Sequence, residues 1–186
     1  MEISELKSSL EQYYLSSYGW ALSCCNRNSV EAEEVLQTVY LKILEGKARF
    51  HGNSSFQTWL FAVIRKTAAD HRRRNLLGKL RLIQSVESTE PVSKTEELDE
   101  SIHRSETQCL FRRALASLPK RQKEVLELVF YHDLSLQQAA EVIGVSLGSA
   151  RTHYERGKRR LRELLEKEEA FCGVAWSRKE NPGIVR

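Results

Sequence analysis

Residues 134–165, LSLQQAAEVIGVSLGSARTHYERGKRRLRELL, constrain the fold more than any other part of the chain. They divide into two amphipathic helices and a tight turn. Ser135 and Gln138, three residues apart, form a capping box that opens a short first helix. Leu136, Ala139, Ala140 and Ile143 line one face of it at helical spacing. Gly144 stands where that helix must stop, at a position that favours φ > 0. Ser146 then caps a second, longer helix. Leu147, Ala150, Tyr154, Leu161 and Leu164 share its inward face. The opposite face carries Ser149, Arg151, Thr152, His153, Arg156, Lys158, Arg159 and Arg160. Residues 147–162 hold six Lys/Arg against one Glu. This is a helix-turn-helix whose second helix has the charge to enter a DNA major groove. An ordinary helical hairpin with a solvated basic face is the plainer alternative, but it does not require cap, glycine turn, apolar register and charge to agree.

Charge distribution extends this reading. The net charge of +4 is too small to announce a nucleic-acid partner for the chain as a whole. Residues 65–81, however, carry seven Lys/Arg and one Asp, and residues 87–106 carry seven acids and two bases. Two basic blocks separated by an acidic stretch suggest two DNA-facing modules on a tether. Cys24, Cys25, Cys109 and Cys172 lack CxxC spacing, which points to reduced, partly buried thiols rather than a metal or redox centre. The first residues, MEISELKSSLEQ, have neither the basic nor the apolar region of a signal peptide. The uncharged run 12–26 is too short and too polar to span a bilayer. A soluble, cytoplasmic protein with no membrane insertion is expected.

Helical periodicity dominates, and no period-2 strand stands out. One helix is expected over about 3–25, with Leu6, Leu10, Tyr13, Tyr14, Tyr18 and Leu22 facing inward. Asn28 and Glu31 signal the start of a second, with Ala32, Val35, Leu36, Val39 and Ile43 buried and Gly46 ending it. A third runs from about Phe56 to Asn75, with Leu60, Ile64 and Ala68 on one stripe. Residues 84–101 read as a linker, rich in Ser, Thr and Glu around Pro91. A fourth helix covers about 102–117, and Pro119 suits the first turn of a fifth.

The stretch 50–75, FHGNSSFQTWLFAVIRKTAADHRRRN, is the second informative segment. Aromatic residues flank small polar ones, and arginines follow on a helix. Rings can stack on or wedge under bases, loop polar groups can read base edges, and guanidinium groups can hold phosphates. Core packing of Phe56 and Trp59 is an equally open reading, because Phe56, Leu60 and Ile64 fall on one face. No Ser/His/Asp set, phosphate-cradling glycine loop or metal-ligand cluster is visible. The sequence therefore suggests no enzyme, cofactor, metal site or small-molecule substrate. His51, His71, His103, His132 and His153 are scattered and are expected to face solvent.

Three segments together resemble the sigma-70 superfamily, specifically its small extracytoplasmic-function (ECF) sigma factors. EAEEVLQTVYLKIL (31–44) is similar to the family's polymerase-binding helix. RFHGNSSFQTWLFAVIRKTAADHRRR (49–74) is similar to its promoter-melting element. LPKRQKEVLELVFYHDLSLQQAAEVIGVSLGSARTHYERGKRRLREL (118–164) is similar to the domain that reads the −35 element. The resemblance implies an all-α chain of two small helical domains joined by a flexible linker, the second containing the helix-turn-helix. The implied divisions are region 2 at 1–80, a linker at 81–104, region 4 at 105–168 and a tail of unknown role at 169–186.

The resemblance also implies residue roles. Glu34, Gln37, Thr38 and Leu41 would face core RNA polymerase. Phe50, Asn53, Ser54, Ser55, Phe56, Trp59, Lys66, Arg72, Arg73 and Arg74 would engage the melted −10 element. Ser149, Arg151, Thr152, His153 and Arg156 would face the −35 duplex. Core polymerase and promoter DNA would be partners, with an anti-sigma factor as a third. Departures from the family pattern are Thr38 for a common acid, Lys66 for a common Asn, His153 for a frequent Arg and Gly157 for a frequent Ala. Gly157 should lower helix stability by about 1 kcal/mol. The competing class is a stand-alone helix-turn-helix regulator that does not engage core polymerase. It leaves residues 31–74 without a role.

Overall fold

The structure is a computed structural model of the 186-residue chain; it describes residues 3–83 and 106–172, and side chains within 4–78 and 111–167. Eight helices and no strand occur among the described residues. They are α1 (Ile3–Gln12), α2 (Tyr14–Cys24), α3 (Ser29–Leu44), α4 (Phe56–Ile83), α5 (Glu106–Ala116), α6 (Lys120–Phe130), α7 (Leu136–Ile143) and α8 (Leu147–Cys172). The first four form one unit and the last four another. The linker expected over 84–101 and most of the 169–186 tail lie outside the described residues. So do the side chains of Cys109 and Cys172.

The N-terminal unit differs from its sequence reading at the start. The single helix expected over 3–25 turns at Tyr13 (φ −95°, ψ 9°) into α1 and α2. Most of the expected inward face holds: Leu10 is buried, and Leu6, Tyr13, Tyr18 and Leu22 pack half-buried against the core. α2 buries Ser17, Trp20, Ala21 and Cys24, while Tyr14 is half exposed. Trp20, absent from the expected set, is the largest fully buried side chain among the described residues. Its ring stacks on Phe61 at 5.9 Å, and its indole N–H donates to the Phe61 carbonyl at 3.0 Å. A buried indole needs such a partner, and this bond ties α2 to α4.

α3 follows its local signals. The Asn28 side chain accepts from the Glu31 amide, and Ala32, Val35, Leu36, Val39 and Ile43 are buried. Gly46 (φ 71°) takes the left-handed position that ends the helix, and the Ala48 amide closes back on the Lys42 carbonyl at 3.0 Å. α4 continues eight residues past the expected end at Asn75. It buries Leu60, Phe61, Ile64 and Ala68.

The helix-turn-helix forms as its sequence dictates. Ser135 and Gln138 make the reciprocal capping box, and Gly144 closes α7 at φ 68°, ψ 46°. Pro119 sits at the N-cap of α6, one position before the expected first turn. Ala150 and Leu161 are buried on α8, and Leu147, Tyr154 and Leu164 are half-buried. Gly157 is also buried, and its role is steric. A Cβ there would stand 3.0 Å from Leu126 Cδ1 and 3.2 Å from Gln122 Cβ. The helix propensity lost at Gly157 is what lets α8 lie this close to α6.

The two units are not separate. Trp20, Leu60, Phe61 and Ile64 share one core with Val125, Leu128, Leu134, Ala139, Val142 and Ile143. His132, expected in solvent, instead meets Phe61 edge-on at 4.8 Å and Trp20 at 5.9 Å. Burial lowers its pKa from 6.5 to about 4, opposed only by Asp133. Elsewhere between the two units, Arg65 donates to both Glu124 carboxylate oxygens at 3.3 Å, and the Ser23 hydroxyl donates to Glu127.

Gly157→Ala should gain about 1 kcal/mol of helix propensity and lose about 1–3 kcal/mol to overpacking against fully buried Leu126. A net destabilisation of about 1 kcal/mol in urea unfolding is the expected outcome; stabilisation would show that Leu126 and Gln122 simply move aside. The His132 contact carries a pH signature. Because the ring's pKa is depressed in the packed state, its stabilisation is complete above about pH 6.5 and is lost as pH falls towards about 4. The His132 ring protons, followed by NMR, should titrate near pH 4. A midpoint near 6.5 would mean a ring in water.

Candidate nucleic-acid and polymerase interface

Three surfaces emerge from the residues expected to carry function. The first lies on α3. Glu34, Gln37 and Leu41 are exposed and Thr38 is half-buried, all on one stripe of the helix. Leu41 is 58% exposed and Leu44, one turn further on, 47%. Two leucines in water opposite the buried face of α3 form an apolar strip edged by polar groups. Leu44 was not singled out in the sequence, although its spacing from Leu41 would have found it. The stripe is ordered from below. Thr38 donates its hydroxyl to the Glu34 carbonyl at 2.8 Å, and the Glu34 carboxylate meets His71 Nε2 at 3.0 Å.

The second surface is the loop before α4. Phe50, Phe56 and Trp59 form a three-ring cluster with centroids 5.3–5.5 Å apart. Tyr13 joins it at 5.9 Å from Phe56. All three rings of the cluster are half-buried, so they seat the loop and still show a face to solvent. Core packing and base contact, open alternatives in the sequence, are therefore compatible here. Gly52 (φ 75°) supports the loop's turn, and His51 and Asn53 are exposed beside it. Ser55 has a separate duty. Its hydroxyl accepts from the Thr58 amide at 3.2 Å and pairs with the Thr58 hydroxyl at 2.7 Å, capping α4. Ser54 is half-buried and donates to the Ser55 carbonyl at 3.3 Å.

The basic end of α4 divides by role. Lys66, Arg73 and Arg74 are exposed. Arg73 pairs with Asp70 at 2.9 Å. Arg72 turns inward and donates to the Cys24 carbonyl at 2.6 Å. That bond satisfies the C-terminal end of α2, where a cation also suits the helix dipole. Arg72 thus anchors α2 to α4, and the outward charge rests on its neighbours. Burial pushes the Cys24 thiol well up and the Cys25 thiol up to about 11, which leaves both unreactive near neutral pH.

The third surface is the outer face of α8. Ser149, Arg151, Thr152 and Arg156 are exposed and His153 is half-buried. Ser146 caps the helix by accepting from the Ser149 amide at 3.2 Å, and its hydroxyl donates to the Ser149 hydroxyl at 3.0 Å. Thr152 donates to the Gly148 carbonyl at 3.0 Å. Arg121 fixes the turn below by donating to the Ile143 carbonyl at 2.9 Å. Among the described residues no group of three or more His, Cys, Asp or Glu could hold a metal ion. No described helix is long and apolar enough to cross a membrane.

Comparison with known proteins matches both units. Residues 10–76 match the model described as Sigma-70 region 2, and residues 110–161 the model described as Sigma-70, region 4. The chain is 27% identical over 166 residues to the RNA polymerase sigma factor YlaC of Bacillus subtilis (strain 168), covering 87% of this chain and 94% of that protein. It is 29% identical over 161 residues to the ECF RNA polymerase sigma factor SigX of the same organism, covering 84% and 83%. Among solved structures, it is similar in fold to the sigma factor RpoE in complex with the anti-sigma factor NepR from Bartonella quintana. That likeness has a TM-score of 0.64 at 23% identity and covers 88% of this chain and 98% of the other. It is also similar to CnrH in complex with the cytosolic domain of CnrY, with a TM-score of 0.58 at 17% identity, covering 87% and 88%.

Proposed function

The chain belongs to the sigma-70 family as an ECF sigma factor that directs transcription initiation, and from that premise we propose how its three surfaces divide the work. The α3 stripe of Glu34, Gln37, Thr38 and Leu41, extended by Leu44, docks on core RNA polymerase. The aromatic loop captures an unpaired −10 base. Asn53 and Ser54 offer polar contacts, Phe50, Phe56 and Trp59 offer ring faces, and Lys66, Arg73 and Arg74 attract the backbone. Ser55 and Arg72 act one step behind, as cap and anchor. The outer face of α8 enters the −35 major groove through Ser149, Arg151, Thr152, His153 and Arg156. The chain performs no covalent chemistry and works in the cytoplasm, where its polymerase is. Region 2 spans 1–80 and region 4 spans 105–168. By analogy with the RpoE–NepR complex, an anti-sigma factor is the third partner.

One observation carries the polymerase assignment: the exposed Leu41–Leu44 strip on a helix whose opposite face is fully buried. A stand-alone helix-turn-helix regulator has no use for such a strip in its first unit. Binding to core polymerase in the absence of DNA separates the two classes. Wild-type chain should bind, and Leu41→Asp should weaken binding at least tenfold without changing the circular dichroism spectrum. Absence of wild-type binding would favour the stand-alone regulator.

Arg151 and Arg156 sit five residues apart, about 140° around the helix. They should therefore do different work. Arg151, nearer the N-terminus of α8, reaches base edges; Arg156 contacts backbone. Arg151→Ala should weaken binding by about 1–3 kcal/mol and relax preference at one or two base pairs. Arg156→Ala should weaken all sequences evenly and lower the salt slope by about one. Equal, sequence-independent losses would refute this division.

A further inference from the structure

We propose that the cleft between α3 and α4 binds the terminal phosphate of a small phosphorylated ligand, and that this ligand competes with core polymerase for the α3 stripe. The competition rests on the sigma-factor reading; the site itself does not.

The cleft follows from how the two helices pair. α3 and α4 run antiparallel, so that Glu34 meets His71 at one level and Lys42 meets Thr67 at another. Val35 and Thr67, 0% and 4% exposed, form the floor between them. Thr38 and His71 stand at the sides, and Lys42 and Arg74 complete the lining with Asp70.

Its charges do not balance. Asp70, the one carboxylate in the lining, is spent on Arg73 at 2.9 Å. The His71 ring is held between Glu34 at 3.0 Å and Asn75 at 3.4 Å. Neither Lys42 nor Arg74 makes a salt bridge to a carboxylate among the described residues. The half-buried Lys42 ammonium donates to the Thr67 hydroxyl at 3.2 Å, a neutral acceptor. An ammonium drawn out of water without a counter-ion favours an anion beside it. The cleft therefore offers two uncompensated positive charges.

The size of that charge selects the ligand. A carboxylate or a DNA phosphodiester brings about one negative charge, whereas a phosphate monoester brings about 1.5 to 2 at neutral pH. The monoester is the match for two cations. The enclosed volume of about 20 Å³ admits about one oxygen-sized group. A phosphate can set one oxygen against Lys42 and leave the others to the exposed Arg74 fork. The rest of the ligand then lies outside, beside Thr38, which the cleft shares with the stripe assigned to polymerase. Ligand and polymerase cannot hold that surface together.

Titration of the full chain with inorganic phosphate at constant ionic strength, followed by amide NMR, tests the site. Shifts should saturate and centre on Thr38, Lys42, Thr67 and Arg74. Lys42→Met keeps the stem and drops the charge. It should weaken binding about tenfold, the share of one charge-assisted hydrogen bond, with the circular dichroism spectrum unchanged. Lys42→Arg should keep most of the affinity. Lys7→Gln, at an exposed lysine outside the cleft, should keep all of it. Neither acetate nor a 5′-hydroxyl oligonucleotide should displace phosphate at matched concentration. Binding left unchanged by Lys42→Met, or shifts spread equally over the arginines of α8, would mean an adventitious ion only. Displacement by acetate or by the oligonucleotide would overturn the monoester assignment, the second handing the cleft to the DNA backbone. In a second arm, phosphate should weaken binding of the wild-type chain to core polymerase and have less effect on Lys42→Met. Polymerase binding indifferent to phosphate would overturn the competition. If the wild-type chain does not bind core polymerase at all, the sigma-factor reading fails, while NMR still decides the site.

Discussion

The structure depends on α4 being buried on more than one side. Leu60, Phe61, Ile64 and Ala68 are all buried. The helix packs against α2 and α3 within its own unit and against α7 of the other. A helix that is apolar around much of its circumference must be enclosed. That requirement fixes Trp20, whose indole is satisfied by a main-chain carbonyl of α4. It also leaves Phe61 available to receive His132. The other apolar cluster, built from Ala114, Leu115, Leu118, Leu126 and Leu161, is smaller and serves only the C-terminal unit.

This enclosure places function on what remains outside. α3 buries five residues and leaves a leucine strip on its far side. The loop before α4 is pinned by three rings and a serine cap, so its polar tip projects from a rigid base. α8 spends Ala150, Gly157 and Leu161 on packing and keeps its guanidinium groups outward. In each case the working surface is the complement of a packed one. On α3 and α8, removing an exposed side chain should then leave the fold intact, whereas the rings of the loop both pack against the core and face solvent.

Several basic residues do structural work that their charge conceals. Arg72 holds the end of α2, Arg121 holds the end of α7, and Arg65 neutralises a buried carboxylate. Each lies in or near a segment whose composition suggests nucleic acid. Net charge over a segment reports a field, but it does not say which guanidinium groups are spent inside. Among the described side chains, the outward basic set on α4 reduces to Lys66, Arg73 and Arg74, with Arg73 tempered by Asp70. On α8 the exposed set survives nearly whole. The two surfaces proposed to face DNA therefore differ: the α8 face is the more strongly charged, and the loop carries more rings and small polar groups.

What the sequence determined by itself is local. The Ser135–Gln138 capping box, the left-handed Gly144, the Asn28 cap and the buried stripe of α3 involve partners three to seven residues apart, so spacing alone specifies them. The fold class and the order of the three working segments followed from the same short-range periodicity together with the family pattern. Tertiary structure decided the rest. Trp20 became the centre of the core by donating to a carbonyl 41 residues away. Gly157, a weakness when read along one helix, became the point where two helices touch. Arg65 met Glu124 59 residues away, and His132 left solvent for an aromatic slot. None of these contacts leaves a periodic trace, because a side chain's burial against a distant element depends on which surfaces meet after the local elements have formed.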